Sequence, residues 1–164
     1  MMDYPIVSSP TISWRVFKQA LENRRSPVDS PADELSDEAY NICLAWGVNP
    51  AVALAFFVHE SNVGTKGAAR RTKNWGNLRK GPGQLRQVHT GVSGGFGEYA
   101  SWLVSLNDFC KLLTGPLYVK GGLDTVSKVT PRYAPSADRN NPTSYAALVN
   151  ELIALWERLS AKEA

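Results

Sequence analysis

The chain alternates stretches of helical hydrophobic periodicity with one long interval that lacks it. Ile12, Val16, Ala20 and Leu21 share a face of a first helix, which Thr11 or Ser13 can cap and which is expected to run to about Arg25. Ser-Pro-Val-Asp-Ser-Pro at 26–31 reads as a turn or short linker. Ser30 is the expected N-cap of a second helix, with Pro31 at its first position. That helix carries Leu35, Ala39, Ile42, Cys43 and Trp46, and Gly47 suits the left-handed residue that ends it. A third helix restarts at once, with Asn49 as cap and Pro50 in its first turn. It is apolar almost all round from Ala51 to Val58, and a helix without a polar face belongs in a core.

Glu60 closes this apolar run, and Val52, Phe56 and Glu60, spaced by four, share a face. An ionised carboxylate is costly in such surroundings, so its pKa is expected to rise. A carboxyl kept protonated near neutral pH can give a proton to a leaving oxygen, which glycoside hydrolysis requires of one of its groups. The plainer alternative is an acid at an exposed helix end, the usual place of a lone glutamate.

Between 61 and 97 helical periodicity fades into a stretch rich in Gly, basic and amide residues. Leu78, Gln84–Val88 and Phe96–Tyr99 are expected as short strands, with turns at Lys80–Gly83 and Gly91–Gly95. Helical pattern resumes at Ser101, where Trp102, Leu103, Leu106, Phe109, Cys110 and Leu113 make a stripe stopped by Gly115-Pro116. A short helix over Leu123, Val126 and Val129 is expected to end at Pro131. After an irregular stretch, Tyr145, Leu148, Val149, Leu152, Ile153 and Trp156 mark a last amphipathic helix. These elements predict an α+β fold, predominantly α-helical, with a small β-hairpin region. It forms one domain over 1–164, on which the N-terminal helix and linker (1–30) pack.

Composition narrows the class without choosing a function. The 164 residues are 43% hydrophobic and 20% charged, which suits one globular domain, and the longest apolar stretch is far too short to span a bilayer. The net charge of +3 is unevenly placed: no Asp or Glu occurs from 61 to 97, where Lys66, Arg70, Arg71, Lys73, Arg79, Lys80 and Arg86 lie. Such a segment favours a polyanionic partner or is simply a solvated basic loop; no nucleic-acid motif accompanies it. Cys43 and Cys110 read as two buried free thiols, with a single disulfide as the alternative. His59 and His89 stand alone, so neither a metal site nor another cofactor is expected. The first ten residues do not read as a signal peptide, so a role outside the cell would need an upstream segment or another export route.

Four elements, in order, resemble the bacterial glucosaminidase family: peptidoglycan hydrolases of glycoside hydrolase family 73 with a lysozyme-like fold. They are the apolar helix ending in Glu60-Ser61 followed by Gly64-Thr65, and the turn Asn74-Trp75-Gly76-Asn77. They continue with the aromatic pair of Phe96-Gly97-Glu98-Tyr99, and with Tyr133-Ala134 followed by Asp138 and Tyr145. The resemblance spans about Leu35 to Trp156. It implies an endo-β-N-acetylglucosaminidase acting on peptidoglycan glycan strands, at the cell wall or outside the cell, as a monomer. Glu60 becomes the general acid, and Tyr133 a catalytic tyrosine that stabilises developing charge or holds the N-acetyl group.

Asn74 and Asn77 are candidate hydrogen-bonding partners of the sugar, with turn formation as the alternative. Gly76 would permit close backbone approach, and Trp75 and Tyr99 are candidate stacking surfaces. Glu98 is the one carboxylate where a hairpin acid would lie, although it sits beside the aromatic pair and reads first as a strand surface residue. Should it not face Glu60, the substrate's own 2-acetamido group takes the second role. Pro-Ser-Ala between Ala134 and Asp138 departs from the family's short form, which puts a role for Asp138 in doubt. Two other functions stay open: a muramidase or lytic transglycosylase on the same substrate, and a wall-binding or structural module without turnover.

Overall fold

The computed structural model describes residues 2–79, 91–93, 95–135 and 141–163, and the chain is predominantly helical. Among the described residues seven α-helices occur in order: α1 (Trp14–Asn23), α2 (Ser36–Trp46), α3 (Pro50–Ser61), α4 (Ala69–Thr72), α5 (Trp102–Thr114), α6 (Val126–Tyr133) and α7 (Pro142–Ala161). A two-stranded antiparallel hairpin, β1 (Gly91–Ser93) and β2 (Phe96–Glu98), separates α4 from α5. The expected strand Gln84–Val88 and turn Lys80–Gly83 lie outside the described residues, as do Arg86, His89 and Asp138. Gly91–Ser93, expected within a turn, is itself a strand, so the hairpin is tighter than its composition suggests.

Helix α3 is the axis of the molecule. Every residue from Ala51 to Phe57 is fully buried, against α1, α2 and α7. Its start is fixed by Asn49, whose Oδ1 accepts from Ala51 N (3.1 Å) while its amide donates to Thr11 Oγ1 (2.9 Å). Thr11 is thereby committed to α3, and Ser13 alone caps α1, accepting from Val16 N at 3.2 Å. The N-terminal segment is built in as well: Ile6 N donates to Asp124 O, Val126 N to Tyr4 O and Asn49 N to Ile6 O.

Two helix ends differ from the sequence expectation. Helix α2 begins at Ser36, because Ser30 accepts from Asp33 N and closes a local turn that competes with a helical start. Helix α6 runs through Pro131 to Tyr133, since Ala134 N still reaches Thr130 O at 2.9 Å and the proline costs one bond near the end. Gly47 ends α2 with φ 73°, as its type requires. Cys43 and Cys110 face each other across α2 and α5 as buried free thiols. Burial and the neighbouring Cys43 push the Cys110 thiol well up, which keeps it protonated and unreactive.

Candidate active site

Glu60 lies in the last turn of α3, half-buried, three residues beyond the fully buried run that ends at Phe57. Two side chains from distant parts of the chain hold its carboxyl. Tyr145, in the first turn of α7, donates its hydroxyl to Oε2 at 2.6 Å. Asn77 donates its amide to Oε1 at 3.2 Å and to the Glu60 carbonyl at 3.1 Å. The shared amide fixes backbone and carboxyl together, so the carboxyl has one orientation. Burial raises the Glu60 pKa above the ordinary glutamate value; the bonds from Tyr145 and Asn77 and the charge of Arg79 pull the other way without cancelling it. Tyr145 is itself fully enclosed, and burial together with the nearby Glu60 pushes its phenol well up, so it stays a donor.

The chain leaves Glu60 through an unusual turn. Asn62 (φ 45°), Val63 (φ 55°) and Gly64 (φ 85°) are consecutively left-handed. That conformation is costly for a β-branched valine. Val63 is held there by full burial and by Ser26 Oγ, which donates to its carbonyl at 2.8 Å. Gly64 is required on a second ground, since a Cβ there would overlap the Trp102 ring. The Glu-Ser…Gly-Thr sequence is thus the means of reversing the chain directly after the acid.

The segment Asn74-Trp75-Gly76-Asn77 is a positioning device, and three of its four residues are interior. Asn74 is fully buried: its amide bonds Leu78 O (3.0 Å) and Gly97 O (2.9 Å), and its Oδ1 accepts from Leu78 N (2.8 Å). It therefore staples β2 to the turn and is not available to a sugar. Trp75 is fully buried, stacked on Phe57 at 3.9 Å with its indole N–H on Ala53 O (2.9 Å). It is a core residue and not a stacking platform. A Cβ at Gly76 would overlap the Tyr133 hydroxyl and the Phe109 ring, so the close approach this glycine allows is to protein. Asn77, left-handed at φ 52°, is the member that reaches Glu60, and its Oδ1 is buried without a partner among the described residues.

Tyr99 is also interior, its hydroxyl donating to Asp108 Oδ2, so it too is not a stacking surface. Tyr133 packs edge-on to Phe56 at 5.2 Å, and its hydroxyl donates to the Gly76 carbonyl. It pins the turn that delivers Asn77 and acts on Glu60 at one remove. Glu98 is half-buried on β2, next to Gly97, whose N–H is bonded to Leu78 O. Arg79 is exposed, and its guanidinium lies 4.8 Å over the Phe96 ring, which holds its charge near Glu60.

Tyr145 is the functional side chain that the periodicity hides. Its position marks it as part of an apolar helix face, and the hydroxyl's partner lies 85 residues away. His59 stacks on its ring at 3.7 Å, and burial lowers the His59 pKa, so the imidazole is neutral beside the phenol. Lys66, Arg70, Arg71 and Lys73 are exposed on the segment after Glu60, so the basic interval reaches solvent there. Among the described residues no group of three or more His, Cys, Asp or Glu could hold a metal ion, and no helix is long and apolar enough to cross a membrane.

Among the described residues the site therefore offers one carboxyl with a raised pKa, two hydrogen bonds that favour its ionised form, and a cation nearby. No protein-family model, curated protein or solved structure matches this chain.

Proposed function

We propose that this chain is a glycoside hydrolase with a lysozyme-like fold that cleaves the β-1,4-linked glycan strand of peptidoglycan as an endo-β-N-acetylglucosaminidase. The observation that carries the reading is the setting of Glu60. Burial favours its protonated form, and Tyr145 and Asn77 are already placed to receive the carboxylate left when the proton departs. Glu60 gives its proton to the glycosidic oxygen as the bond from C1 breaks. The substrate's 2-acetamido oxygen closes on C1 and holds the developing charge; water then opens that ring and returns a proton to Glu60. Substrate assistance is preferred because, among the described residues, the charged side chain acting on Glu60 is the cation Arg79. Tyr133 and Asn77 serve as positioning residues on this reading, with the exposed cations toward the anionic peptide stems of the strand. The site of action is the cell wall.

The test is digestion of purified peptidoglycan, followed by mass spectrometry of the new sugar ends. Reducing N-acetylglucosamine ends are expected. Reducing muramic ends would mean a muramidase, 1,6-anhydro ends a lytic transglycosylase, and no release of fragments a module without turnover.

A further inference from the structure

An apolar groove whose lining does not include Glu60 runs along α7. Met2, Val58 and His59 form one wall, and Leu148, Leu152 and Leu155 of α7 the other, around a volume of about 950 Å³. Leu148 and Leu155 are 51% and 42% exposed and Met2 is 60% exposed. A run of uncovered leucines along two turns of one helix is an unsatisfied apolar face, of the kind that marks an interaction surface.

Two charges frame this face. Glu151 and Arg158 are exposed lining residues seven positions apart, two helical turns along one side of α7. Among the described residues neither forms an ion pair within the chain. Their midpoint falls between Ala154 and Leu155. A two-fold axis there, perpendicular to α7, sets Glu151 against the partner's Arg158 and Arg158 against the partner's Glu151. The same operation closes the leucines of both helices over each other, with the small side chain of Ala154 at the crossing. A parallel arrangement would oppose like charges at both positions, so only the antiparallel one is compatible with this spacing.

We infer that the α7 groove is a self-complementary interface, and that a second copy of this chain, packed antiparallel across it, is its occupant. The surface replaces the monomer expected from the sequence with a two-fold dimer whose acids, the two Glu60 carboxyls, lie outside the contact. The lining includes His59, which stacks on Tyr145, but not Glu60, and association is read by sedimentation without reference to the reaction assigned above.

Sedimentation equilibrium of the wild-type chain and of Glu151→Arg, Arg158→Glu and the double variant tests this. All substituted side chains are exposed, and unfolding midpoints confirm that each variant folds. The wild type is expected to dimerise, each single reversal to weaken the dimer by at least about tenfold through like-charge contact, and the double reversal to restore it. A wild type that stays monomeric at high concentration would assign the groove to another occupant and overturn the inference. A dimer indifferent to both reversals, or one the double variant fails to restore, would do the same.

Discussion

Glu60→Gln is expected to lower glycan cleavage by about two to four orders of magnitude while leaving the fold intact. The amide is close to isosteric: its oxygen can accept from Asn77 and its nitrogen can donate to the Tyr145 oxygen, but it carries no transferable proton. The stability of the variant separates this from a structural role. The folded-state pKa of Glu60 is raised, so the folded chain holds this proton more tightly than the unfolded chain. The wild type therefore carries no penalty at pH below the ordinary glutamate range. It loses stability as pH rises through the interval up to the raised folded value, and the full penalty remains above that. Glutamine has no such penalty, so Glu60→Gln should gain stability relative to the wild type as pH rises toward neutrality. Denaturant unfolding at acidic and neutral pH, beside a peptidoglycan-release assay, reads both effects. A variant that is destabilised at neutral pH, or that retains full activity, is incompatible with a buried general acid.

Trp75→Ala is expected to destabilise the fold by about 3–5 kcal/mol, the range for a large aromatic removed from a closed core. The indole is fully enclosed, stacked on Phe57 at 3.9 Å and bonded to Ala53 O at 2.9 Å. Its loss opens a cavity against α3 and frees the turn that carries Asn77. A residue that stacked on sugar would behave in the opposite way, weakening substrate binding with little change in unfolding. Urea denaturation of the variant distinguishes the two, and a stability within about 0.5 kcal/mol of wild type, typical of surface changes, would contradict the core assignment.

The helices were readable because burial along them follows a period. Ile12, Val16, Ala20 and Leu21 fall on one stripe whatever the rest of the chain does, and all four are buried. The caps Ser13 and Asn49 are equally local, since each side chain bonds a backbone N–H two or three residues on. Glu60 was readable for the same reason, as an acid at the end of a helix with no polar face. The loop interval carries no period, so composition there does not separate a surface aromatic from an interior one. Trp75 is buried by Phe57 and Asn74 is used up by Gly97, contacts made across 18 and 23 residues. Tyr145 illustrates the converse: periodicity gives its face, while the destination of its hydroxyl depends on how α7 lies on α3. What a motif of asparagine, tryptophan and glycine suggests about sugar binding is here a set of instructions for placing one amide against one carboxyl.

That placement makes the protonation of Glu60 the quantity on which the proposed chemistry depends. Carbon-detected NMR titration of the Glu60 carboxyl in the wild-type chain, set beside the pH profile of kcat/KM for peptidoglycan release, measures it directly. The carboxyl is expected to titrate above the ordinary glutamate pKa of about 4.3, at the midpoint of the alkaline limb of the profile. A carboxyl that titrates at or below that value, or an alkaline limb that falls elsewhere, would contradict its assignment as the general acid.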